Sequence, residues 1–599
     1  MPDYIALALI LTAALYLFWT QKLRTDLTAV LVMVALILPW PHGNGQWRGI
    51  LTYQEGFSGF GSPAVVMVAA MFVFGAAMVR TGLVEFFGGR LFKACAHNEL
   101  LLQAAVLGLT TVVSMFINDT TVVLMFLPII MSVCQEKNLS PSRYLMCVAY
   151  GSLLGGQWTL IGTRSNIVIS DYLLQKSGTG LGFFDFTPVA AVVFAACAVY
   201  FLLLGRKFLP KPGEAERLEE NLAKEYLTEV LVTPKSPSVG RTLDEVAWGK
   251  QRDLTVLEVI RGAERIPPAR GLRLQAGDTL VLQGPVATIG RLLKSPDFEL
   301  KQELRIGKQV LQSVDLLTVE ALVAPDSDYA GRTLEELEFG REFGFSVLGI
   351  ARRGRTIQER PATMRLKYGD SVLLLGHVTG LARLKKNPHL ILLTQQTMPP
   401  VRKRRTLITL LLLLGIIGSA VSGLLSPAIS IPLAAVLAIL FRCVRPEEIY
   451  HAVDWQSVVT VAGMIPFGLA LEKTGAAEAV AHAIVQTFTG YGPVVVLGVL
   501  LLLAVFLTQL IENAAVAIIL APLAYRIAID AGVNPQPFMV GLAICVSSAF
   551  CTPVAHESTI LVMGPGRYQF KHYLQIGGAM ALLTWLLATW LTPLVWPFK

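Results

Sequence analysis

The chain is 599 residues long, 54% hydrophobic and only 15% charged, with a formal net charge of +8. A mean hydropathy of +0.58 excludes a large soluble enzyme and describes a polytopic membrane protein. The basic balance does not point to nucleic acid, because the Lys and Arg residues gather at the ends of apolar segments, where they act as topology signals.

Apolar segments recur at about 4–19, 27–40, 64–79, 100–134, 145–173 and 187–205, and again at 406–424, 428–443, 457–471, 493–530, 538–564 and 573–596. The first lacks a basic leader and a small-residue cleavage site, so it is expected to be a retained span. The cysteines, at 95, 134, 147, 197, 443, 545 and 551, form no C-x-x-C pair, and neither a disulfide framework nor a metal site is expected from them. The two sets of six correspond. Val65 to Gly75 aligns with Val458 to Gly468, and Thr81-Gly82 with Thr474-Gly475, each displaced by 393 positions.

Inside the segment 100–134 an amide and a carboxylate interrupt the apolar run, in Ile117-Asn118-Asp119-Thr120-Thr121, with Pro128 following. The same sentence returns 394 positions later as Ile511-Glu512-Asn513-Ala514, with Pro522 following. An ionisable residue near the bilayer centre costs roughly 2.5 to 3.5 kcal/mol and is kept mainly where it meets a cavity, a partner or an ion. The alternative is a pair of ordinary helix caps, since Asn and Asp are favoured there; the duplication weighs toward a site.

Each half also carries a second break, Gly155-Gly156-Gln157 through Gly162-Thr163-Arg164-Ser165-Asn166, and Thr552-Pro553 through His556-Glu557-Ser558-Thr559. Ser165 and Ser558 are placed to cap the continuing helix. Half-helix N-termini offer N–H groups to an anion, and the carbonyls freed by an unwound turn suit sodium. Gly155-Gly156 by itself reads as close helix packing.

The basic residues flanking the segments, among them Arg80, Arg143, Arg206, Arg402 to Arg405, Arg442 and Arg567, fall on one side if 100–134 and 493–530 are hairpins that enter and return. Each half, 1–210 and 401–599, then has five crossings and one re-entrant hairpin. That odd number of crossings makes the halves inverted, places both termini outside, and puts the middle, 211–400, in the cytoplasm. The middle is charged and is itself duplicated. Gly240-Arg241-Thr242-Leu243 returns as Gly331-Arg332-Thr333-Leu334 and Gly277-Asp278 as Gly369-Asp370, which predicts two lobes at about 225–297 and 313–386. Each is expected to run strand, short helix, strands, then a Gly-Asp turn before a final strand. No dinucleotide or P-loop signature is present.

The hairpin tips, the Gly162-Thr163-Arg164-Ser165-Asn166 and Thr552-Pro553 breaks, and the tail Gly564-Pro565-Gly566-Arg567-Tyr568 resemble the divalent anion:sodium symporter family, in its branch of sulfate and dicarboxylate carriers. The insert resembles a tandem of the C-terminal regulatory lobes of potassium-uptake regulators. The resemblance implies an elevator mechanism, a homodimer, sodium at each tip and substrate between the tips. Carried over residue by residue, it implies substrate contacts from Asn118, Thr120, Thr121, Gly162, Thr163, Ser165, Asn166, Asn513, Thr552, Pro553, Ser558 and Thr559. Sodium would fall to Asn118, Asp119, Glu512 and Asn513 with backbone carbonyls. The chain departs from the family at its tips, where Asn-Asn or Ser-Asn is common, and at Arg164 and His556-Glu557.

Arg164 can clamp an oxyanion or pair with Asp119 or Glu557. His556 can titrate with transport or simply fill its packing site. In the insert, Arg241, Arg332, Arg352 and Arg353 are candidates to hold a nucleotide-like effector, and the alternative there is a passive dimerisation module. The expectation is a secondary-active importer in the inner (plasma) membrane, not an enzyme. It would be coupled to sodium, carry a sulfate-like anion ahead of a dicarboxylate, and need no organic cofactor. A proton-coupled exchanger or efflux carrier is the alternative, and a potassium channel is disfavoured because no T-V-G-Y-G filter is present.

Overall fold

The computed structural model describes residues 3–82 except 21 and 42–46, residues 92 and 95, residues 98–210 except 138, and residues 403–599 except 489, 490 and 554. Within 226–393 it describes the strands and the turns around them. Every apolar segment read from the sequence is helical, and the caps explain several of the starts. Ser62 accepts the Ala64 N–H in front of Pro63–Arg80, where proline occupies a first-turn position that needs no donor. Asp454 accepts the Ser457 N–H in front of Trp455–Lys473.

The segment 100–134 folds as Glu99–Ser114 and Asp119–Lys137 joined by a short turn, and 493–530 as Pro493–Leu507 and Asn513–Asp530. The two breaks divide Leu145–Gly156 from Arg164–Ser177, and Gln536–Val546 from Glu557–Met563. Among the described residues, four helical stretches are long and apolar enough to cross a membrane: Tyr53–Arg80, Arg404–Ser422, Asn513–Asp530 and Phe570–Val595. Other apolar helices are shorter. Tyr53–Phe57, Pro446–Ala452 and Ala476–Phe488 were not foreseen, because an apolar window misses short or amphipathic helices. Ala476–Phe488 buries only the stripe Ala477, Ala481 and Val485.

The helices from the two halves interleave. Thr25–Ile37 packs on Trp455–Lys473 and Pro63–Arg80 on Pro427–Leu440, while Thr187–Leu203 packs on Phe570–Val595. Glycine allows one close approach beside a break, since a Cβ at Gly155 would lie 2.4 Å from the Thr111 carbonyl oxygen. The packing reading of Gly155-Gly156 therefore has a physical cause.

The middle forms two five-stranded antiparallel sheets with equivalent strand orders. The first runs Glu264–Ile266, Thr255–Arg261, Thr279–Gly284, Tyr226–Val232, Phe298–Leu300; the second runs Arg355–Thr356, Phe345–Arg352, Ser371–His377, Leu316–Val323, Leu390–Leu392. The Gly-Asp turns precede the fourth strand of each sheet and not the last. Phe298–Leu300 and Leu390–Leu392 follow as short last strands. The expected short helices of the lobes fall largely outside the described residues.

Both turns use a glycine with positive φ, 91° at Gly277 and 78° at Gly369. Both place an aspartate under an arginine. Arg261 donates to both Asp278 oxygens at 2.8 Å and to the Arg273 carbonyl at 2.9 Å. Arg352 donates to both Asp370 oxygens at 2.7 Å and to the Arg365 carbonyl at 2.9 Å. Burial pushes the Asp278 carboxyl up, but the hydrogen bonds and charge of Arg261, with the Gln275 N–H, outweigh it and hold the group below the usual carboxylate range. Arg352 is thus a bidentate structural brace; Arg241 and Arg332 are exposed, and Arg353 lies outside the described residues.

Candidate ion and anion site

The hairpin turns and the helix breaks meet in one buried cluster, and each half holds its own turn to its own break in the same way. The Thr159 hydroxyl donates to the Met115 carbonyl, and 393 positions on, the Thr552 hydroxyl donates to the Gln509 carbonyl at 3.0 Å. Ser114 Oγ donates to the Ser152 carbonyl at 2.8 Å, and Thr508 Oγ1 to the Val546 carbonyl at 2.6 Å. Gln509 does more in the second half, donating to the Ser548 carbonyl at 2.8 Å and accepting the Cys551 N–H at 2.8 Å.

The charged contacts run the other way, from one half to the other. Arg164 Nη2 lies 3.3 Å from Glu512 Oε1 at the second tip, and its Nη1 lies 3.6 Å from Asp454 Oδ2. His556 Nε2 lies 3.2 Å from Asp119 Oδ2 at the first tip, with both side chains only 3% exposed. The Thr120 hydroxyl donates to Glu557 Oε2 at 2.8 Å. The partners foreseen for Arg164, Asp119 and Glu557, are not the ones it pairs with. Helix packing decides this: Arg164–Ser177 lies against Asn513–Asp530, while Glu557–Met563 lies against Asp119–Lys137.

The caps also differ from expectation. Arg164–Ser177 starts one residue before Ser165, after Thr163, and Glu557–Met563 starts after His556, whose Nδ1 accepts the Ser558 N–H at 3.1 Å. Ser165 and Ser558 therefore sit inside the first turn. Both hydroxyls are buried without a protein partner, as are the Asn118 and Asn513 side-chain nitrogens.

Other candidates have internal roles. Asn166 donates to the Gly156 carbonyl at 3.1 Å and the Thr159 carbonyl at 2.8 Å, closing the unwound turn. Thr559 donates to the His556 carbonyl at 2.7 Å and the Pro553 carbonyl at 3.2 Å, closing the other. A Cβ at Gly162 would stand 2.6 Å from the Gly156 carbonyl oxygen, so this glycine answers to packing. Thr121 is half-buried in the first turn after the tip.

Sequence reasoning passed over Asp454 and Gln509. An aspartate before an apolar run reads as a helix cap, and the only other signal for Gln509 was a polar Thr508-Gln509 pair within a long apolar segment. At the second tip both Glu512 carboxylate oxygens are buried and accept no hydrogen bond, and with Arg164 3.3 Å from Oε1 the Oε2 atom is the one left to a hard cation. At the first tip, Asn118 Oδ1 and Asp119 Oδ1 already accept the Thr120 N–H, both at 3.1 Å, and His556 faces Asp119. Among the described residues no group of three His, Cys, Asp or Glu side chains could hold a metal ion by itself.

A family profile described as citrate transporter (CitMHS) matches residues 15–545 of the chain. The chain is 30% identical to the uncharacterized transporter YfbS of Escherichia coli strain K12, over 98% of each chain. An uncharacterized transporter of Synechocystis is 29% identical over 98% of this chain and 96% of its own. Sodium/sulfate cotransporter 1 of Chlamydomonas reinhardtii is 25% identical over 63% of this chain and 44% of its own.

Proposed function

The chain belongs to the citrate transporter family and is a transporter, and we propose that it is a secondary-active, sodium-coupled symporter of a small divalent anion, sulfate-like ahead of dicarboxylate. The observation that carries this reading is the composition of the cluster. Arg164 pairs with Asp454 and Glu512, His556 faces Asp119, and Glu557 beside Thr120 brings the carboxylates around these two basic side chains to four. Four carboxylates outnumber the two basic side chains beside them, so an anion approaching at low dielectric is helped by positive charge that arrives with it. Sodium at the tip oxygens supplies that charge, with Glu512 and the backbone around Asn513 as its best-fitted ligands. Buried side-chain donors with no protein partner cost about 1–3 kcal/mol each. Asn118, Asn513, Ser165 and Ser558 are therefore well suited to an oxyanion shared between the halves.

The names of the sodium/sulfate cotransporters support sulfate over a dicarboxylate. The repeated hydrogen bonds support a duplication of the halves, and the one-sided placing of the basic loops supports their inversion. The segments 100–134 and 493–530 each divide into two helices joined by a short turn, as a hairpin that enters and returns would. A homodimer in the inner membrane, an elevator movement and a cytoplasmic regulatory insert complete the reading.

Reconstitution tests it directly: labelled sulfate uptake into proteoliposomes, with succinate, citrate and phosphate in parallel, under an inward sodium gradient. Uptake of sulfate that collapses when the gradient is removed is expected. Uptake indifferent to sodium and driven by a proton gradient would replace this reading with the exchanger, for which the His556–Asp119 contact is the specific support.

A further inference from the structure

The second sheet is not free of the helical body. Along Leu316–Val323, the side chains of Val319, Ala321 and Val323 fill the sheet's own core, whereas Leu322, fully buried, belongs to the core of the helices. The last strand repeats the pattern. Leu390 and Leu392 fill the sheet's core, and Ile391 and Leu393 pack into the helical one. Because successive strand residues face opposite ways, this sheet is buried on two faces along this edge.

The Gly369 turn completes the contact. A Cβ on Gly369 would stand 3.8 Å from Ile560 Cγ1, and a Cβ on Gly564 would stand 3.8 Å from the Gly369 carbonyl oxygen and 4.0 Å from Leu322 Cδ1. Ile560 lies within Glu557–Met563, and Gly564 caps that helix. This is the half-helix whose first turn carries Glu557 and whose cap is His556, the two residues that reach the first hairpin tip.

We infer that the outer face of the second sheet, made by Leu322, Ile391, Leu393 and the Gly369 turn, is a docking surface for the half-helix Glu557–Met563 of the same chain, and that the insert acts on the site through it. The functional half of this inference rests on the transporter reading; the docking half does not. The mechanism needs no ligand at the tips. Anything that shifts the second sheet shifts the half-helix from its C-terminal end, and with it the crosswise contacts at its N-terminal end.

The test pairs Leu322→Gln with Leu393→Gln in the full-length protein and follows backbone hydrogen exchange over 557–564 together with sulfate uptake. Exchange there should accelerate about tenfold or more, with Ser371–His377 still protected, and the uptake rate should change. Leu231→Gln, at the equivalent position of the first sheet, should alter neither. Should the double variant unfold its own sheet, Gly564→Leu wedges the same contact from the helix side and leaves the sheet's core intact. Unchanged exchange over 557–564 with a folded second sheet overturns the docking. Faster exchange with an unchanged uptake rate overturns the coupling. Faster exchange in a protein whose wild type moves none of the anions tested sinks the transport reading and leaves the docking standing.

Discussion

The chain contains two duplications, and they have diverged in opposite places. In the helical halves the hydrogen bonds of the backbone scaffold repeat, Thr159 to Met115 and Thr552 to Gln509, while the buried charges change sign: Arg164 and Glu557 stand 393 positions apart at the same point of their helices. In the two sheets the buried charge pair is kept, Arg261 with Asp278 and Arg352 with Asp370, and the outer face changes. There Leu231 stands opposite Glu299, whereas Leu322 stands opposite Ile391. What the fold needs is retained in both copies. What has diverged is the part that meets something outside its own repeat, the other half's tip in one case and the helical body in the other.

The largest effect should come from undoing the divergence at Arg164. Its guanidinium is 6% exposed and faces two carboxylates. Arg164→Gln strands Asp454 and Glu512 without it, a loss of about 3–5 kcal/mol for a broken buried pair. The thermal midpoint of the purified protein should fall by many degrees, with no transport left. A stable, active Arg164→Gln protein would mean the crosswise pairing is incidental.

The kept pair predicts equality. Arg261→Ala and Arg352→Ala each leave a buried aspartate without its bidentate partner, and each should destabilise its own sheet by about 3 kcal/mol. Hydrogen exchange in Thr279–Gly284 and in Ser371–His377 reads the two separately. Unequal losses would show that docking supports the second brace. The lowered folded value of Asp278 also fixes a sign: its stabilisation is complete above the ordinary carboxylate range, near pH 4, and is lost as pH falls through the lower folded value. Protection of Thr279–Gly284 should therefore weaken on acidification in the native chain and respond less in Arg261→Ala.

Much of this was legible in the sequence, and the rest was not for identifiable reasons. The tips and breaks declared themselves because a carboxylate or a proline inside an apolar run has no neutral explanation. The pairings did not, since spacing along the chain says nothing about which half's helix packs on which tip. Asp454 hid as a helix cap. The docking face was present in the letters: Leu390-Ile391-Leu392-Leu393 is unbroken, as in a strand buried on both sides, while Phe298-Glu299-Leu300-Lys301 alternates.

At the first tip, Asp119→Ala removes one of the two tip carboxylates and leaves the His556 ring buried without its acceptor. The structural cost is about 1–3 kcal/mol, smaller than at Arg164 because one ring nitrogen, and not two carboxylates, loses its partner. Sodium activation of uptake should weaken before expression does. Unchanged sodium dependence in a folded variant would move the cation site wholly to the second tip, where Glu512 oxygens accept no hydrogen bond.

The smallest effect tests the asymmetry most closely. Thr120 corresponds to Ala514 at the second tip, so Thr120→Ala makes the two tips alike at that position. The native hydroxyl donates to Glu557 at 2.8 Å, whereas at the second tip Arg164, standing where Glu557 stands in the other half, faces Glu512 as an ion-pair partner at 3.3 Å. Removing the hydroxyl takes away one hydrogen bond, a net loss of about 1 kcal/mol. Glu557 also sits near Arg164 and His556, and these can share its charge. The midpoint should therefore drop by only a few degrees, and transport should persist with a changed pH profile, since Glu557 would lose its hydroxyl donor. A Thr120→Ala protein with native stability and a native pH profile would show that the first tip does not depend on Glu557, and that the sign change between Arg164 and Glu557 matters at the second tip alone.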